Sequence, residues 1–125
     1  MQPSQITDIQ QLIARYHAGE RNFEQASLSG ANLNQATLHG VNLSKSVLSK
    51  TNFYQSDLRG ADLSWADLTE ADLSNADLRG AILTRADLSG ANLTGANLLK
   101  ADLTLANLNQ TQLNGTVFPD GTIHD

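Results

Sequence analysis

The sequence predicts an all-β solenoid preceded by one short helix, and two observations carry the solenoid. Ala61 to Leu98 repeats with a period of five, reading ADLSW ADLTE ADLSN ADLRG AILTR ADLSG ANLTG ANL. Such a period is not helical, because at ~3.6 residues per turn the Leu would wander round the axis. Gly closes many of the units (Gly30, Gly40, Gly60, Gly80, Gly90, Gly95, Gly115), which fits a turn needing positive φ.

Residues 1–20 come first and differ in kind. Ile6, Ile9, Leu12, Ile13 and Tyr16 recur at spacings of three and four, the mark of an amphipathic helix. Ser4 or Thr7 is expected as N-cap, with Asp8 suiting the positive helix end and Ala18-Gly19 as the stop. A coiled sheet has an open first edge that invites aggregation unless covered. The helix is expected to cover it, with its apolar stripe over Phe23, Leu28, Leu33 and Leu38.

The units then run from Arg21 to Asp120 without a gap, twenty in all, centred on Leu or Phe. In extended chain, residues two apart share a face. The Ala of each unit therefore points inward with its Leu, and the Asp or Asn between them points out. The next Leu is an odd number of residues on, so a bend in every unit must restore the inward face. A weak twenty-residue echo, with Gly40, Gly60 and Gly80 in line and His39, Arg59 and Arg79 in line, suggests four walls per turn.

The third turn carries the acid: Asp62, Asp67, Asp72 and Asp77, with Asp57 before and Asp87 after. These carboxylates form a belt round the rod. Asp57 and Asp77 are expected to stack on one wall and Asp67 and Asp87 on the next, with Arg59 and Arg79 offsetting the first pair. Calcium would need six or more converging oxygens, and a belt diverges, so no metal site is expected. The Asp and Asn side chains are read as solvated surface that ties the backbone at the turns.

After Phe118, Pro119-Asp120-Gly121 signals a turn and only Thr122 to Asp125 follow. Leu103, Leu108, Leu113 and Phe118 are then poorly shielded unless Ile123 tucks under them or a second molecule covers them. A weak homodimer through Leu113, Phe118 and Ile123, about a two-fold axis, is the expectation.

The tandem A(D/N)LXX units resemble the pentapeptide-repeat family over about four-fifths of the chain. The run AGERNF before them resembles the N-terminal caps of cyanobacterial members, and FPDGTIHD resembles the closing segment of others. The resemblance implies a right-handed quadrilateral β-helix of about five coils with an N-terminal helical cap. The domains are then a cap over 1–20, repeats over 21–120 and a tail over 121–125. Val47, Ile82 and Val117 depart from the Asp/Asn position without breaking register.

Composition narrows the function. The net charge of −5 disfavours binding to phosphate backbones. Cysteine is absent, which excludes thiolate metal sites and disulfides. No apolar run reaches the ~20 residues of a membrane span, and the start lacks a signal peptide's pattern, so the cytoplasm is expected. His17, His39 and His124 are dispersed, and the many Ser and Thr have no partnered base. No catalytic residue, cofactor or small-molecule substrate is expected, and no ligand cleft, because Leu and Ala fill the interior.

In a four-wall stack Lys45, Trp65, Arg85 and Leu105 fall in one corner column with Val47 beside it, so Trp65 sits between two cations. This column is the candidate protein-interaction patch, since Trp and Arg are enriched in hot spots. Tyr54 and Leu99 point outward elsewhere and are weaker candidates. The chain is thus expected to be a non-enzymatic scaffold with an unidentified protein partner. The alternative implied by the resemblance is an acidic rod that imitates DNA and protects DNA gyrase.

Overall fold

The computed structural model describes residues 5–125. Its single helix, α1 (Ile9–His17), leads into a continuous β-solenoid. Asp8 is the N-cap, and its side chain accepts from the Gln10 N–H. That corrects the expectation for Thr7; Ser4 lies outside the described residues. Asp8 wins because the chain is still extended there (φ −136°, ψ 128°), so its carboxylate can reach the first free N–H groups. Ala18 is the C-cap and Gly19 follows with φ +102°. Leu12 and Tyr16 are buried, while Ile9 and Ile13 pack against the core at its edge.

Each repeat bridges in parallel to the repeat twenty residues on, from Asn22↔Asn42 to Asn97↔Val117. Four units therefore complete one turn, and successive units lie on successive walls, here walls 1 to 4 from the unit centred on Phe23. The unit around Leu63 shows the bonding. Asp62 N–H donates back to the Val41 carbonyl (2.8 Å), Leu63 N–H forward to Ile82 (2.7 Å), and Trp65 N–H forward to Thr84 (2.9 Å). Ala66 N–H then closes the corner onto the Leu63 carbonyl at 3.1 Å.

The corner residue has positive φ in every unit from Gln25 to Gly115, whether or not it is glycine. Lys45, Lys50, Glu70 and Arg85 all sit near +57° to +59°. The cost is roughly 1 kcal/mol per non-glycine corner, which stacked hydrogen bonds and the buried Leu outweigh.

Every Asp or Asn before a unit's centre, from Asn22 to Asn107, accepts from the backbone N–H two residues later. This is the Asx-turn, and it explains why short side chains with an acceptor oxygen fill the position.

Inside, every centre from Phe23 to Leu98 is at most 3% exposed. Where Ser or Thr replaces Ala, the hydroxyl finds a backbone partner: Ser46 accepts from Ala26, and Thr51 and Thr116 donate to Leu28 and Leu93. Ser56 is the exception, with its Oγ buried and unpaired.

The ends differ. At the start, the Ser27 N–H donates to the Ile6 carbonyl (2.8 Å), so the chain before α1 is tied to wall 2. At the finish, residues 121–125 fold back as a hairpin. Val117 pairs antiparallel with Ile123, and Phe118 N–H donates to Thr122. The hairpin covers wall 4 only. Ile123 does not tuck under the coil and stays 65% exposed. Leu103, Leu108 and Leu113 are half-buried, and among the described residues their N–H groups have no backbone partner.

Candidate interaction site

The corner between walls 1 and 2 stacks Gln25, Lys45, Trp65, Arg85 and Leu105, one per turn. Trp65 and Arg85 both hold left-handed backbone (φ +60° and +59°), which throws their side chains off the rod. The Arg85 guanidinium carbon lies 4.9 Å from the centroid of the Trp65 ring, a cation–π contact. Among the described residues Lys45 makes no such contact, so Trp65 is stacked on one side rather than clamped between two cations. Trp65 is 57% exposed and Leu105 66%.

The structure adds a residue to the patch. Ile82 stands on wall 1 between Asp62 and Asp102, 40% exposed. The signal was present in the sequence, since Ile82 breaks the Asp/Asn rule beside the Trp65 column. Val47, 42% exposed, bridges to Asp67 on wall 2, and Asp67 bridges to Asp87. Asp62, Asp102, Asp67 and Asp87 thus flank the apolar residues on both sides. Among the described residues none of the four has an ion-pair partner.

A groove of about 730 Å³ adjoins this surface, lined by Ile6, Arg15, Glu20, Phe23, Lys45 and Val47 among others. No cleft was expected; the groove departs from that, lying outside the Leu- and Ala-filled interior and beside α1.

Wall 4 contrasts with the corner. Arg59 grips Asp57 through Nε and Nη2 (2.9 and 2.8 Å), and Arg79 grips Asp77 the same way (2.9 and 2.7 Å). The hydrogen-bonded guanidiniums hold both carboxyls below the usual carboxylate range, against the opposing effect of partial burial. Asp67 and Asp87 are not on the neighbouring wall, as expected, but two walls on, because ten residues advance the chain half a turn.

Two histidines expected to lie apart flank one ring. His17 and His39 stand 6.5 and 6.1 Å from Tyr16, centroid to centroid. His124 packs on Phe118 at 5.7 Å. Among the described residues no three His, Asp or Glu side chains converge as a metal site would require. Tyr54 and Leu99 are half-buried on walls 3 and 4.

The pentapeptide-repeat family model, eight copies of it, matches residues 22–53, 46–85 and 81–118. This chain is a pentapeptide repeat protein. It resembles the solved structure of a pentapeptide repeat protein from Nostoc Pcc 7120 at 42% identity, over 88% of this chain and 98% of that one, with a TM-score of 0.79. A pentapeptide repeat protein from the Arabidopsis thaliana thylakoid lumen is 38% identical over 79% of this chain and 69% of that one, with a TM-score of 0.73. No protein of curated function matches it. The pentapeptide repeat neighbours imply a right-handed β-helix solenoid for this chain.

Proposed function

We propose that this pentapeptide repeat protein is a non-enzymatic interaction scaffold, docking a protein partner on Trp65, Arg85, Lys45, Leu105 and Val47, with Ile82. One observation carries the reading. Among the described residues the exposed large apolar side chains are Val47, Trp65, Ile82, Leu105 and Ile123, and all but Ile123 fall on this one corner and its adjoining walls. A non-catalytic role is supported by the Leu-filled interior and by Asp side chains already committed to turn bonds. The architecture is read as quadrilateral, about five coils with α1 as cap. The twenty-residue register and the shared core of Leu12, Tyr16 and Phe23 support it.

The test is capture with the full chain as bait. Proteins retained by wild type and by Tyr54→Ala, but lost with Trp65→Ala, support the corner. Equal capture by all three overturns it.

The open C-terminal turn supports a second reading, a weak homodimer through Leu113, Phe118 and Ile123. Its N–H groups without a backbone partner among the described residues, and its half-buried Leu side chains, are the observation in favour. Imitation of duplex DNA at gyrase fits less well, because Arg59 and Arg79 neutralise the Asp57–Asp77 column. The cytoplasm, expected from the sequence, is not distinctive of the fold, since one relative is from a thylakoid lumen. No helix is long and apolar enough to cross a membrane among the described residues.

A further inference from the structure

Resting on the reading of the corner as a docking surface, we propose that its occupant is a basic amphipathic helix. Val47, Trp65, Ile82 and Leu105 offer one exposed apolar side chain on each of four successive turns. Turns of a β-solenoid are ~4.8 Å apart. A helix lying along the rod advances ~5.4 Å per turn, so apolar residues at i, i+4, i+7 and i+11 stay within roughly 2 Å of that ladder over its length. An extended strand places same-face residues ~6.8 Å apart and falls out of step by the third contact.

Charge selects the sign. Four carboxylates (Asp62, Asp67, Asp87, Asp102) border the ladder against two cations, Lys45 and Arg85, giving a local balance of 2 − 4 = −2 within a chain of net charge −5. Arg85 is already stacked on Trp65. The four carboxylates lack ion pairs among the described residues, whereas Asp57 and Asp77 have theirs. Lysines or arginines flanking the partner's apolar stripe would meet those carboxylates on both sides.

Trp65 is the sole tryptophan, so its emission reports the corner directly. The full chain is titrated with a synthetic Leu/Lys amphipathic peptide, the Leu/Glu peptide of the same pattern, and a scrambled Leu/Lys peptide. The expected result is a saturable shift with the patterned Leu/Lys peptide alone, weakened several-fold by 0.5 M salt and by D67N with D87N, and unchanged by D72N on wall 3. Asn keeps the turn bond at these positions, as Asn42 and Asn92 show, so folding is preserved. Tighter binding of the Leu/Glu peptide overturns the assigned charge and leaves the corner as a docking surface. An equal response to the scrambled peptide, or no response to any, overturns the helix. Failure of the corner itself is read separately, from the Trp65→Ala capture.

Discussion

The Tyr16 hydroxyl donates to the His39 carbonyl at 2.7 Å, tying the helix to the first turn of the solenoid. That carbonyl belongs to the exposed start of the sheet, where no earlier turn can bond it. The Arg21 guanidinium lies over the same ring, 3.7 Å from its centroid, and donates to the Tyr16 carbonyl. Tyr16→Phe keeps the ring and removes the hydroxyl, so a loss of about 1 kcal/mol is expected. Tyr16→Ala also empties a buried site and should cost about 3–5 kcal/mol. Urea titrations of the two variants check the order.

Ser56→Ala should stabilise the protein by about 1 kcal/mol. Its buried Oγ has no partner, and Ala already fills this position in neighbouring units. Thr51→Ala, which removes a hydroxyl bonded to Leu28, should destabilise instead. If both changes lower the melting temperature alike, the unpaired hydroxyl is not a cost.

Asp62→Asn and Asp72→Asn should stay within about 0.5 kcal/mol of wild type, since Asn supplies the same acceptor to Ser64 and Ser74. Ala at either position breaks the turn bond and should cost about 1 kcal/mol. Thermal melts followed by circular dichroism distinguish the two outcomes.

Acid should weaken the fold through wall 4. Asp57 and Asp77 titrate below 3.8 in the folded state because Arg59 and Arg79 bond their charged form. The folded state thus binds protons less readily than the unfolded chain. Its advantage is whole above pH ~4 and disappears as pH falls through the lowered values. Both guanidiniums are half exposed, so solvent screens the pairs and the effect on stability is small. Asp57→Asn with Asp77→Asn should flatten the fall in melting temperature between pH 5 and 2.

Removing Thr122 to Asp125 unpairs Gly115 at the corner before wall 4 and Thr116 and Phe118 on that wall. The truncated chain should self-associate more strongly than wild type, read by sedimentation over a wide concentration range. A strict monomer before and after truncation counts against the homodimer.

The alternation of Ala and Leu with polar residues made the walls, the filled interior and the corner column legible, because burial follows residue type. Backbone conformation at the corners was legible only where Gly marked it. Gln, Lys, Trp and Arg carry no comparable signal, yet stacking imposes the same positive φ on them. The sequence does not single out the N-cap, because Ser4, Thr7 and Asp8 are all competent and only the extended backbone at Asp8 decides. The ion pairing of wall 4 could be read from the twenty-residue echo, whereas the exposure of Ile123 depends on how the last hairpin turns.

The twenty-residue register has a consequence for length change. Each unit bonds to the units four before and four after it, so a whole added turn would leave every column intact and merely lengthen the rod. Five added residues would preserve the Leu core equally well but rotate all that follows by a quarter turn. An insertion of that size between Trp65 and Ile82 would carry Arg85 and Leu105 round to another edge, dismantling the surface while leaving the fold untouched.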